Sequence, residues 1–508
     1  MDYYTKWRSS TATPMTNIAG HAAKHALRSL PWLAWGALMV GCSSGGSGSA
    51  PAPANSPTNP TPAVTNVTVV LSSDANDHFT DFGALLGITL TNRSGKSVTL
   101  VSQSLGAEFV HLNGLVEPMI TGTLPADTYT SATVTVGAAQ FTCVSPNADG
   151  GLQLSTFAYG YVQAPFVTVS LPTPISVTGD SMGLTLRMQI QQSAVLSSCA
   201  AGAGYAIRPT FTLSSFDIAN VPLGSATNTV FSLDGAVTAV NGASASFVLQ
   251  RPSTMSQPAT SLKVSMDAGT ALRGFSDLAS LQVGMFVELD GAIQADGSVH
   301  ATRVAVADPT AVDVRRGPIL SVYSQATSIV DIRPIQGQGK DGLVDMEAYD
   351  FTSTTFHISD QLSNVQQLPF AATFDASSMV PGQNVYLSSP AFVTCCGAEY
   401  YAPATTITLM PQTIDGTVLV SSVSGNFTVY TVQLSSDDLF PSLAVQAAQS
   451  TRLTRPNQVQ VYVDSSTRML NSDPVAIGSA LRFYGLVFND RGVLRMDCAQ
   501  INEGVPLN

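Results

Sequence analysis

The feature that most restricts what this chain can fold into is its succession of short runs that alternate at period two. Val67-Thr68-Val69-Val70-Leu71, Ile88-Thr89-Leu90-Thr91, Ala132-Thr133-Val134-Thr135-Val136, Phe166-Val167-Thr168-Val169-Ser170-Leu171 and Leu184-Thr185-Leu186-Arg187-Met188 are rich in β-branched residues and bounded by Gly, Pro, Asn and Asp. Successive side chains of a strand point to opposite faces, so such runs predict strands with one face in a core. A 3.6-residue apolar stripe is scarce, and Leu443–Leu453 is the best short helix candidate. The expected class is therefore all-β, with sandwiches and small barrels as the natural architectures.

From Phe231 onward the chain repeats itself. A unit opens with Leu233-Asp234-Gly235-Ala236-Val237, then with Gly317-Pro318-Ile319-Leu320-Ser321-Val322, then with Ile414-Asp415-Gly416-Thr417-Val418; the glycines are 82 and 99 residues apart. A second strand follows, Phe247-Val248-Leu249 in the first unit and Phe427-Thr428-Val429 in the third. A Val, Pro or Ile before glycine (Val283-Gly284, Pro381-Gly382, Ile477-Gly478) then enters a fourth strand such as Met285–Gly291 or Leu481–Gly485, and Ala301–Val306 closes the first unit. Glycine there permits a tight corner in a small curled sheet. Asn241-Gly242 and Asp296-Gly297 are strong hairpin signals. Five strands closing on themselves would remove bare sheet edges, which a lysine-poor chain guards badly. The expected organisation is a β-sandwich over 64–222, then five-stranded barrels over 230–308, 312–410 (with an insertion between Val330 and Ile358) and 412–505.

The N-terminus constrains location. Leu30–Val40 is an apolar run of eleven residues, too short to span a bilayer, preceded by Lys24 and Arg28 and ending at Gly41-Cys42-Ser43. This resembles a bacterial lipoprotein signal, with cleavage before Cys42 and a diacylglycerol on its sulfur. Met15 suits that signal better than Met1 as a start, because the stretch before it is long and carries Asp2. Ser43 after the cysteine is similar to the pattern that directs Gram-negative lipoproteins to the outer membrane. The expected division is a signal peptide over 1–41 and the lipidated Cys42 with a flexible Ser/Gly/Pro/Ala linker over 42–63. No second apolar run reaches the ~20 residues of a spanning helix.

Charge narrows the partners. Charged residues make up 11% of the chain and its formal net charge is −12; the expected signal contributes Lys6, Arg8, Lys24 and Arg28 against Asp2, so the mature chain stands near −15. Its only lysines are Lys96, Lys263 and Lys340. Such a chain is repelled by phosphate backbones, which argues against nucleic acid and against a basic patch on anionic lipid. The membrane is then met through the Cys42 lipid, and the remaining partner is an unidentified envelope or surface protein or a glycan.

The other cysteines are Cys143, Cys199, Cys395, Cys396 and Cys498. In an oxidising compartment they are disulfide candidates. Cys143 and Cys199 share the first globular region and are expected to pair. Adjacent Cys395 and Cys396 form a strained ring with each other, so one of them is expected to bridge Cys498 and leave one odd thiol. No CxxC spacing or nearby histidine supports a metal, and no cofactor is expected.

Residues 231–307, with the Asp-Gly-Ala-Val opening, the Val-Gly-Met-Phe-Val-Glu-Leu-Asp-Gly strand and the Asp-Gly-Ser-Val-His-Ala-Thr-Arg-Val close, resemble a small β-barrel domain of unknown function repeated in many secreted bacterial lipoproteins. The third unit is similar but looser, and the second departs most. Residues 65–220 resemble another uncharacterised family, a transthyretin-like or immunoglobulin-like sandwich, through Leu124-Pro125-Ala126-Asp127-Thr128-Tyr129 and Tyr205-Ala206-Ile207-Arg208-Pro209-Thr210-Phe211. These resemblances imply architecture and no activity.

The catalytic signals are weak. Gly41-Cys42-Ser43-Ser44-Gly45 matches GxSxG but straddles the cleavage site, and Gly337–Gly342 matches GxGxxG but leads into a strand rather than a helix. Asn147-Ala148-Asp149-Gly150 and Asp74-Ala75-Asn76-Asp77 lack a full calcium ligand series and read as turns. His78, His111, His300 and His357 are scattered, with core or surface roles as the default. Tyr400-Tyr401, Tyr159 and Tyr161 are the aromatics that could stack on a sugar. The expectation is a non-enzymatic envelope lipoprotein serving as an interaction or structural module, with a carbohydrate- or small-ligand-binding lipoprotein and a cryptic hydrolase as alternatives.

Overall fold

The period-two runs become two facing sheets. In the computed structural model the described residues run from 63 to 503, apart from 76–78, 138, 147–151, 163–165, 170, 172, 194–205, 221–224, 226, 252–259, 307–310, 312, 324–328, 333–335, 339–346, 363–364, 392–401, 437, 452 and 471–472; in parts of several strands, 139–146 and 152–162 among them, only the backbone is described. Val64–Ser73 pairs in parallel with Ser181–Met188 and antiparallel with Glu117–Pro125, and Phe211–Phe216 flanks Ser181–Met188. The opposing sheet is built around Phe79–Asn92 and Asp127–Val136, which pair antiparallel. Val67, Val69 and Leu71 of the first sheet meet Leu86, Ile88, Leu90, Val134 and Val136 of the second, all at most 1% exposed, in one core. Tyr129 is buried, and its hydroxyl donates back to the Pro125 carbonyl at 3.2 Å, so Leu124–Tyr129 forms a corner around its tyrosine.

Three further sheets follow. In the first, the hydrogen-bonded path runs Ser261–Ser265, Ser246–Gln250, Thr229–Asn241, Phe286–Ile293, Val299–Val306, and Ser261–Ser265 then pairs with Val299–Val306, so five strands form a closed ring. In the last, Gln458–Val463, Phe427–Leu434, Gln412–Ser424, Ala480–Asp490 and Val493–Glu503 do the same through Gln458–Val463 pairing with Val493–Glu503. The middle path runs Thr406–Leu409, Asn384–Ser389, Asp313–Tyr323, Ile329–Ile332, Glu347–Asp350, Ala402–Pro403, so its two ends are separated only by Ala404-Thr405. One short parallel strand lies outside each path: Ala271–Arg273, Thr355–Ile358 and Arg468–Met469.

The glycine corner is the same in all three. Gly284, Gly382 and Gly478 have φ of 94°, 93° and 89°, a region that favours glycine. Each donates its N–H at 2.8 Å to the opening strand, to Val237, Ile319 and Val418 respectively. Those residues donate back to Met285, Gln383 and Ser479 at 2.8, 2.9 and 3.0 Å.

The expected helix runs over Leu439–Thr451, beginning four residues earlier than the sequence suggested, and Phe440 packs on Gly382 of the middle sheet. Among the described residues no helix is long and apolar enough to cross a membrane. Cys498 corrects one expectation: it is a free, buried thiol whose Sγ contacts the Gln500 carbonyl at 3.3 Å, and it belongs to the apolar core of the last ring rather than to a bridge with Cys395 or Cys396. Cys42, Cys199, Cys395 and Cys396, both glycine-motif matches in their essential parts, the Asn147–Gly150 turn and Tyr400-Tyr401 lie outside the described residues. So do the side chains of Cys143, Tyr159 and Tyr161.

Candidate functional site: a buried charged hub

The residue before each opening glycine is charged and buried: Asp234, Arg316 and Asp415. Across the ladder they face Glu288, Tyr386 and Arg482, also buried. Strands normally carry apolar residues at inward positions, so six such polar groups at equivalent registers require partners beyond their own sheet.

For Arg316, Glu288 and Asp415 partners come from neighbouring modules. In the first ring a register shift between Val230 and Leu233 puts Ser232 at φ 51°, a bulge that turns its N–H onto the Asp290 carboxylate at 2.8 Å. The freed Ser232 carbonyl accepts from Arg316 of the middle sheet at 2.9 Å. Gln361 crosses the same boundary, donating to the Ser232 hydroxyl at 2.7 Å and to Asp290 at 2.8 Å. Arg303 of the first ring reaches Asp360 with two N–H groups, at 2.9 and 2.7 Å, and Glu288 at 3.4 Å. Phe231 of the first ring stacks on Tyr484 of the last, with ring centroids 4.6 Å apart.

The sandwich joins through the short helical turn Val110–Leu112. His111 is held by Glu108 on Nδ1 and by Glu117 on Nε2 at 2.8 Å, while the other Glu117 oxygen accepts from Arg251 of the first ring. Burial alone would depress the His111 pKa, but the Glu117 charge and the bonds to both glutamates outweigh it and hold the imidazole up to about 9. Burial would likewise raise Glu117, yet Arg251 and His111 bring it down to about 2. His111 and Glu117 are therefore both ionised at neutral pH. Two residues on, Asn113 donates to Asp415 of the last ring at 2.9 Å, and the Arg482 guanidinium lies against Gly114 where a Cβ would stand.

Other hub acids stay protonated to higher pH. Burial lifts Asp290 to about 6, Asp234 to about 7 and Asp438 to about 8, the last reinforced by Asp415. Both Asp234 oxygens are buried without a hydrogen-bond partner. His111, Asn113, Arg316, Thr413, Asp438 and Tyr484 line a cavity of about 90 Å³, large enough for a few waters.

The hub was not visible in the sequence. Of the scattered histidines, His111 is buried in the hub, His300 lies 3.2 Å from Asp267 and His357 is exposed. Asp74, read as a turn residue, pairs with Arg187. Among the described residues no cluster of His, Cys, Asp and Glu could hold a metal ion. The first and last rings share a further recurrence: the Thr270 and Thr467 hydroxyls each cap an Asp-x-x-Thr turn and donate to a closing-strand carbonyl, at 2.8 and 2.7 Å.

Residues 234–305 match a family described as a domain of unknown function, DUF5666. The match begins at Asp234 and spans the first ring from its opening glycine to its closing strand. No curated protein matches the chain.

Proposed function

We propose that this protein is an outer-membrane lipoprotein, anchored through Cys42 and spaced by the linker, whose folded part is a rigid scaffold that binds partners and does not catalyse. In this reading the three rings are copies of one barrel domain, joined by the shared glycine corner and by the equivalent buried positions at Asp234, Arg316 and Asp415. One observation carries the proposal: charged groups bridge the module boundaries, Glu117 to Arg251, Arg303 to Asp360, Arg316 to the Ser232 carbonyl and Asp415 to Asn113. The described residues from 63 to 503 cluster as one compact unit, which supports reading the rings as a single body rather than as a string that extends reach.

The last ring offers the partner-facing surface. Leu419, Val420 and Val423 on its first strand and Ile477 at the glycine corner are 40%, 51%, 79% and 70% exposed. Exposed apolar groups concentrated on one module favour a protein or glycan contact. Membrane fractionation tests the anchor, with Cys42→Ala expected to move the protein to the soluble fraction. Protease shaving of intact and permeabilised cells then reads which face the rings occupy. Retention of Cys42→Ala on the membrane defeats the proposal. The second reading, a ligand-binding lipoprotein, is favoured by one observation: a cavity of about 400 Å³ between the sandwich and the first ring.

A further inference from the structure

That cavity lies where the hairpin turn Asp296-Gly297 of the first ring rests on the sandwich strands Val64–Ser73 and Glu117–Pro125. Gly297, at φ 81°, sits so close to the Thr121 and Thr68 hydroxyls that a Cβ would collide with them. One wall is apolar, formed by Pro118, Met119, Ile120 and Leu262; the other carries hydroxyls and two cations, Arg251 and Lys263. Its volume falls within the range of small-molecule sites.

Two of the lining residues carry a buried polar atom without a partner. The Thr68 hydroxyl belongs to a residue only 1% exposed and makes no hydrogen bond. Arg251 spends one terminal nitrogen on Glu117, while its Nε is buried and unsatisfied. Lys263 is exposed at the rim and makes no ion pair among the described residues. Among the described lining residues the one acid is Asp296, which accepts from the Ser298 N–H at 3.0 Å and the Ser298 hydroxyl at 2.6 Å on one oxygen and is also stabilised by the Lys263 charge. Buried groups left without hydrogen bonds are uncommon and call for a ligand or ordered water.

We infer that this cavity is a binding site for a small hydroxylated carboxylic acid of sugar-acid size. The carboxylate would meet Lys263 and the Arg251 Nε–H, a hydroxyl would meet Thr68, and the C–H face of the ligand would lie on Met119 and Ile120. This rests on the ligand-binding reading and is independent of the membrane face.

Isothermal titration of the full chain in detergent with sodium galacturonate tests it. Saturable binding is expected, at least about tenfold tighter than for neutral galactose, because the carboxylate supplies a charge-assisted bond. Thr68→Val keeps the side-chain shape and removes a hydroxyl that has no internal partner, so its melting temperature should not fall while its affinity drops about fivefold or more. Lys263→Met, on the surface, should weaken galacturonate about fivefold at low salt and leave galactose unchanged. Absence of saturable heat, equal affinity for galactose, or full binding by both variants overturns the site. None of these outcomes bears on the fractionation of Cys42→Ala.

Discussion

Asp234→Asn should stabilise this protein, and only above a particular pH. Asp234 is 1% exposed, neither carboxyl oxygen has a hydrogen-bond partner, and burial holds its pKa at about 7 against an ordinary 3.8. Below the ordinary value both folded and unfolded chains carry a protonated carboxyl, and ionisation adds no cost to folding. Between 3.8 and about 7 the unfolded chain ionises and the folded chain does not, so stability falls as pH rises. Above that the loss levels off, at about 4 kcal/mol if the whole difference is realised. Asparagine keeps the shape and never ionises. Relative to the parent protein it should therefore be near neutral at about pH 4 and more stable by about 2–4 kcal/mol at about pH 8. Urea unfolding at a series of pH values measures this directly, as a gap in midpoint that opens with pH at constant slope. A variant that is less stable at every pH would refute the reasoning. It would mean that Asp234 is ionised and serves Arg316 or Arg251 as a necessary counter-ion.

Glu117→Gln should destabilise by about 3–5 kcal/mol, because it removes the counter-charge of Arg251 in a largely buried site and one of the two acids on His111; thermal unfolding reads the loss, and the His111 titration should move down from about 9. The same histidine predicts that parent stability declines as pH rises from about 6.5 through about 9, since its raised pKa favours folding only while the unfolded imidazole is protonated or the folded one remains so. Gly382→Ala should cost about 2 kcal/mol or more, from a positive φ and from the contact of its new methyl with Phe440; the midpoint of urea unfolding measures it. The Cys498 thiol, pushed up by burial, should resist Ellman's reagent in the native protein and react once unfolded, and rapid native reaction would contradict its place in the core.

The fold was largely legible because its signals are local. Alternation in Val67–Leu71 or Ala132–Val136 and the glycine before each fourth strand act within a few residues, and each sits in the structure where those physics place it. The hub was illegible because its pairs are long-range: Glu117 and Arg251 are 134 residues apart, Asn113 and Asp415 are 302. An Asp before a turn glycine reads as ordinary turn chemistry, and only the packing of modules reveals that Asp234 and Asp415 face inward. Cysteine counting suggests a Cys498 bridge, but counting carries no information on packing, and Cys498 sits as a free thiol in an apolar core with Met496 and Ile501.

The account stands on the rings and the sandwich behaving as one body locked by buried charge. Scanning calorimetry of the full chain and of an Arg316→Ala variant tests this most directly. A single transition in the parent protein, with the calorimetric enthalpy matching the van't Hoff value, that splits into separate transitions in the variant is the expected result. Resolved, independent melting of the modules in the parent protein would contradict it.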